Sequence, residues 1–208
     1  KGDELMDKKL SKDAYGGIPG KDYVPYISSG DRKGGNVAVM IIGLVLAAIF
    51  AASTAYSGMK AGLTVAAGIP GAIIGSALVA AFARKKGILA KNLIQGMSSG
   101  GESVASGIIF VLPAVLLIGA KISFVEGVLV GVGGVLFGIG IATIVYNYLI
   151  VEEHGKLMYP ESMAISETLV ASEGVGESIK FMGIGFGIGG LITVVTSSFI
   201  NVTNNVVS

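Results

Sequence analysis

The sequence predicts an all-α fold: a polytopic membrane helix bundle of five transmembrane helices with a short re-entrant or interfacial helix before the last. Three observations predict it. Hydrophobic residues make up 52% of the 208-residue chain and charged residues only 14%, against roughly 25% charged in an average soluble domain. Too few charges exist to cover a soluble surface. Glycine occurs 33 times, roughly twice its usual share and without a collagen period. Small residues of this kind let helix backbones approach closely in lipid. Finally, five runs come near the ~20 mostly apolar residues that cross a bilayer.

The same composition excludes several classes. Without Cys there is no disulfide framework, thiolate metal site or cysteine nucleophile. The single histidine, His154, cannot build a multi-histidine metal site within this chain. No metal or other cofactor is indicated. A net charge of +1 gives no reason to expect nucleic acid as a partner.

Residues 1–36 are polar and mixed in charge, and rich in glycine and proline. No apolar stretch follows a basic start, so this is not a signal peptide. It reads as a cytoplasmic N-terminal tail with little structure of its own. Within it Tyr15, Tyr23, Val24 and Tyr26 are the points able to pin it to a partner surface. The membrane domain follows over 37–208. Its spans are expected at about 37–58, 62–83, 92–119, 124–151 and 180–201. Pro70 interrupts the second and Glu102 lies inside the third. Pro160 suits the first position of a helix and Glu161 its first turn, which places a short helix at about 160–172. It is too short to span and rich in Ala and Ser, which fits a re-entrant or interfacial piece; an ordinary cytoplasmic amphipathic helix is the alternative. The chain opens on Lys1 and stops soon after an apolar run, which reads as a piece of something longer.

Lys and Arg number seven in the tail, then one, four, one and two in successive loops, and none at the end. Cytoplasmic loops carry the excess, so the N-terminus is expected in the cytoplasm and Ser208 outside. Small residues recur at four-residue spacing: Gly71 and Gly75; Gly127 and Gly131; Gly134, Gly138 and Ala142; Gly183 and Gly187; Gly185 and Gly189. Helix packing explains them, with a permeation path or hinge as the sharper alternative. Gly185, Gly187 and Gly190 match a dinucleotide-binding pattern, but inside an apolar run it lacks the strand context that the pattern requires. Asn201-Val202-Thr203 is a glycosylation sequon on the expected outer side, relevant only in a secretory pathway.

The third span holds the polar groups that cost most in lipid. A helix from Asn92 carries Glu102 about 15 Å in. A carboxylate at that depth costs several kcal/mol unless it is protonated, paired or hydrated, which makes it a functional candidate. Gly100-Gly101 just before it could break the helix and expose backbone to a cavity. The alternative is a helix that starts at Glu102, with the carboxylate as an N-terminal cap.

Four stretches in order resemble the oligopeptide transporter family, which includes the yellow-stripe-like metal-chelate carriers. They are Tyr56-Ser57-Gly58-Met59-Lys60-Ala61-Gly62-Leu63-Thr64; Asn92-Leu93-Ile94-Gln95; Gly101-Glu102-Ser103; and His154-Gly155-Lys156-Leu157-Met158-Tyr159-Pro160-Glu161. The prokaryotic branch is the most similar, and only its N-terminal portion is covered. After Tyr-Pro-Glu the family often has Gly-Thr-Ala; this chain has Ser162-Met163-Ala164. The resemblance implies a secondary active symporter in the plasma membrane. It would move oligopeptides or peptide-like metal chelates together with protons. On that basis Glu102 is the candidate proton-coupling residue. Asn92, Gln95, Ser98 and Ser99 are candidates for lining the path, Lys60 for meeting a substrate carboxylate, and Tyr159 and Glu161 for a cytoplasmic gate. Expected partners are a small peptide or metal-chelate substrate, protons, the lipid bilayer, and the remaining transporter helices or another subunit. A homo-oligomer is a further arrangement.

Rival readings are a non-transporting membrane subunit or fragment that works only in assembly, a channel, and an intramembrane enzyme. The last is disfavoured because the only histidine lies in a loop, far from the membrane serines it would have to activate.

Overall fold

A computed structural model of the chain describes residues 10, 12–17, 21–24, 26–27, 35–64, 66–82, 87–119, 121–173, 181, 183–185 and 187–196. Five α-helices are numbered here: α1 Val37–Ala61, α2 Gly68–Phe82, α3 Ile88–Leu117, α4 Phe124–Tyr146 and α5 Pro160–Ala171. A shorter apolar helix covers Gly183–Thr196. No named strand occurs among the described residues. The fold is an all-α membrane helix bundle. Val37–Ala61, Ile88–Leu117 and Phe124–Glu152 are each long and apolar enough to cross a membrane. Arg84, Lys85, Lys86 and Lys180, the ends of the second and fifth expected spans, and the sequon lie outside the described residues.

α1 ends where Gly62 takes a left-handed conformation, φ 69°, and donates its N–H to the Gly58 carbonyl at 2.9 Å. Glycine adopts that conformation without the steric cost other residues meet. Leu63, Thr64, Ala66 and Ala67 are non-helical. The second expected span, 62–83, is therefore helical only from Gly68. Pro70 does not interrupt it. It sits in the first turn, where a helix has no intrahelical partner for backbone N–H groups, so the missing donor costs nothing there. At 15 residues, α2 is shorter than a full crossing requires.

α3 departs from expectation in the opposite direction. It begins four residues earlier than Asn92 and runs unbroken through Gly100-Gly101 and Pro113 for 30 residues. The glycine pair is not a break. A Cβ on Gly101 would stand 2.5 Å from the Ala47 carbonyl oxygen of α1, so Gly101 is where two backbones meet. Met97 packs on Gly43 and Ile109 on Gly58. Contacts rising in register along both chains mean that α1 and α3 run parallel. α2 runs back against α3: Gly71 meets Ser98, and Gly75 meets Ile94 and the Lys91 carbonyl. Val39, Leu46, Val79, Ala90 and Ile94 form the apolar core, at the end of the bundle where α1 and α3 begin.

α4 opens with a reciprocal capping box between Ser123 and Glu126, which satisfies otherwise orphaned N–H groups. It continues as a π-helical turn over Asn147–Glu152. None of its residues is buried. Of its four-spaced glycines, Gly131 faces α3, where an added Cβ would meet Ile108 at 3.7 Å, while Cβ atoms at Gly134 and Gly138 would meet nothing within 4 Å.

α5 starts at Pro160, as its sequence suggested. It is not a free amphipathic helix. Ile165 and Glu161 pack on Gly68 of α2, and Leu169 and Val170 are buried. The tail also has more structure than expected. Lys12–Tyr15 forms a 3-10 turn, the Tyr15 hydroxyl donates to Glu167 of α5, and Gly16 packs on Gly155. Of the four pinning residues, Tyr15 and Tyr26 engage the chain's own helices, while Val24 stays 88% exposed.

Candidate functional site

Residues 91, 95, 98 and 102 stand at helical spacings of four, three and four, so they share one face of α3. That face is polar and buried. Lys91, Gln95, Ser98 and Glu102 are all 8% exposed or less. Most helices bury their apolar face; along this seam α3 does the reverse, because α2 closes over it with Gly71 and Gly75. Ser98 lies directly against Gly71 and donates its hydroxyl to the Gln95 carbonyl at 2.8 Å.

Glu102 sits halfway along the 30-residue helix. The cap reading of this residue is therefore overturned: the helix starts at Ile88, with Gly87 at its N-cap. Its carboxylate accepts a hydrogen bond from the Ser106 hydroxyl, one turn on, at 2.7 Å. The Lys91–Glu173 and Lys156–Glu153 ion pairs do not involve Glu102.

Lys91 is the residue that sequence reading passed over, taking it for a loop charge. Its ammonium lies 2.5 Å from the Glu173 carboxylate. It also donates to the Ser172 carbonyl at 2.9 Å and hydroxyl at 3.1 Å. All three of its donors are thereby used. A cation at the last carbonyls of α5 also complements that helix's dipole. The signal was present as the 91-95-98-102 spacing, but the expected helix start at Asn92 hid it. Ser76 of α2 was missed as well. It is 4% exposed, and its hydroxyl has no hydrogen-bond partner among the described residues.

The remaining candidates do not join Glu102. Ser99 is half-buried beside the seam. Asn92 is exposed and opens on a small pocket of about 190 Å³ with Leu10, Tyr26, Ile27 and Leu169. Lys60 is exposed at the end of α1. Its ammonium is 3.2 Å from the Tyr56 hydroxyl and 5.5 Å from that ring's centre, the posture of a snorkelling lysine. Tyr159 donates to the Leu149 carbonyl at 3.1 Å, tying the loop to the end of α4. Glu161 faces the start of α2 through Gly68. An apolar groove of about 730 Å³ between α3 and α4 is lined by Val104, Ile108, Leu112, Gly131 and Val135 among others. It offers almost no polar recognition chemistry. Among the described residues no set of His, Asp and Glu could hold a metal ion.

At the other end of the seam, hydrogen bonding to Glu167, then burial, then the Glu167 charge push the Tyr15 phenol above its ordinary range. Burial, then the Glu173 charge do the same for Tyr26.

Long apolar helices and a buried polar face on the central one define a class, the multi-pass membrane proteins. Residues 35–208 match the family described as OPT oligopeptide transporter protein. Over 146 residues the chain is 32% identical to a Haemophilus influenzae protein named "Putative oligopeptide transporter", covering 68% of this chain and 22% of that protein. The chain belongs to the oligopeptide transporter family. It spans about a fifth of that relative's length. No solved structure matches it.

Proposed function

We propose that this chain forms part of the translocation path of a proton-coupled symporter for oligopeptides or peptide-like metal chelates. In this reading it lies in the plasma membrane with its N-terminus in the cytoplasm, as the Lys and Arg distribution favours. The observation that carries the proposal is Glu102: a buried carboxylate halfway along α3, hydrogen-bonded to Ser106. A charge held there without a cation is costly, and taking up a proton relieves the cost. A carboxylate that gains and loses a proton with exposure to either side is what proton coupling requires. Gln95, Ser98 and Ser99 supply neighbouring polar groups, and Asn92 stands at the mouth of the seam. The non-helical stretch before α2 supports the same reading, because irregular backbone at membrane depth is tolerated where it is packed in protein or lines a cavity. Tyr159 and Glu161 bracket the start of α5 as gate residues.

The test is uptake by the full-length protein in liposomes. A labelled dipeptide should accumulate when the outside is made acid, and a protonophore should abolish the accumulation. Accumulation indifferent to the protonophore would overturn proton coupling. A second reading is favoured by the bare surface of α4 and the fractional coverage of the relative: this chain transports only in assembly with further helices. Uptake by the full-length protein together with none by the 208-residue chain supports it.

A further inference from the structure

α5 is held by the membrane bundle, through α2 and α3, and separately by the tail. Its C-terminal end is fixed to α3 by Lys91, through Ser172 and Glu173. Its opposite flank carries Glu167, which accepts the Tyr15 hydroxyl across 152 positions of sequence. Beside that bond Gly16 and Gly155 touch through their backbones: a Cβ on Gly155 would stand 2.7 Å from the Gly16 Cα. Gly155 has φ 82°, so the loop before α5 is shaped to bring its backbone to that point. Leu10, Tyr26 and Ile27 share a pocket of about 190 Å³ with Ile88 and Leu89 of α3 and with Leu169 and Val170 of α5. The tail thus meets α5 through the Tyr15 hydroxyl, meets the loop before it through backbone, and borders the helix across this pocket. The tail residues making them all precede residue 35, where the match to the family begins.

We propose that residues 12–17, with Tyr26 and Ile27, act as a strap that clamps α5 onto α2 and α3 and holds closed the end of the bundle where Asn92 opens. Tyr15 is its latch. A short helix that moves only when an external strap lets go gives this chain a control point that the shared family region does not contain. The strap itself assumes nothing about cargo; its consequence for transport rests on the function proposed above.

The chain lacks cysteine, so a single introduced thiol reports one position. Val170→Cys places it beneath the strap, where the native side chain is 3% exposed. Ile165→Cys places it in the α5–α2 contact at Gly68. Each is labelled with a water-soluble maleimide in lipid nanodiscs, in three backgrounds: the intact chain, a deletion of residues 1–27, and Tyr15→Phe. The strap predicts labelling at both positions at least tenfold faster in the deletion, and severalfold faster in Tyr15→Phe, which keeps the ring and loses only the hydroxyl. Unchanged labelling at position 170 means that the segment does not cover α5, and overturns the proposal. Faster labelling at 170 with none at 165 means a cover that clamps nothing, and overturns it equally. Neither result depends on transport. Failure of peptide uptake in every background, with the labelling pattern intact, would count against the transport reading and leave the strap standing.

Discussion

Gly101 sits where α1 and α3 pass closely enough that a single added carbon would collide with backbone, which cannot swing aside. Gly101→Val should cost about 1–3 kcal/mol, the usual range for overpacking, and lower the thermal unfolding midpoint in detergent. Gly100 is the control. A Cβ there meets nothing within 4 Å, so Gly100→Ala should raise stability by about 0.5–1 kcal/mol through reduced chain entropy. Equal effects from the two would contradict the packing described here. Tyr15 makes a pH-dependent prediction. Its folded pKa lies above the ordinary value of 10.0, chiefly because the neutral phenol donates to Glu167. The stabilisation is therefore complete below pH 10 and disappears as pH rises through the folded pKa. With seven tyrosines and no tryptophan, ionisation can be followed by tyrosinate absorbance. Tyr15→Phe should remove a step that titrates above pH 10; an unchanged late phase would contradict the latch.

At the scale of elements, α5 depends on Lys91 more than on its own sequence. Lys91→Ala removes one partner of an ion pair whose carboxylate is 22% exposed. It also deprives the Ser172 carbonyl of a donor. The partial exposure moderates the loss to about 1–3 kcal/mol. Hydrogen exchange along 160–171 should accelerate while α1 stays protected; uniform acceleration would indicate a general loss of fold instead. Elements were legible in the sequence to the extent that apolar length defines them. α1 and α4 follow from their long apolar runs, and the start of α5 from Pro160. Interior breaks expected in α2 and α3 are absent for a shared reason. Pro70 and Gly100-Gly101 are breakers by local propensity, yet one falls where a helix needs no donor and the other where a neighbouring backbone demands a small residue. Neither circumstance is visible without the partner helix. Lys91 was hidden in the same way, because its role is defined by a helix end 81 positions further on.

For the molecule as a whole, composition fixed the class and four short stretches pointed to the family, while assembly is not written in either. α4 exposes glycines and large apolar side chains along its length, a surface suited to lipid or to further helices. The relative is several times longer than the matched region. The central proposal concerns the inside of the bundle: that the carboxylate of Glu102 carries the proton that accompanies the substrate. The direct measurement is proton entry into liposomes containing the full-length protein and a trapped pH-sensitive dye, on addition of a dipeptide outside. Wild-type protein should acidify the lumen when peptide is added. Glu102→Gln, which keeps shape and hydrogen bonding but cannot ionise, should lose peptide-driven acidification while retaining its thermal stability. Acidification at the wild-type rate in Glu102→Gln would contradict the account.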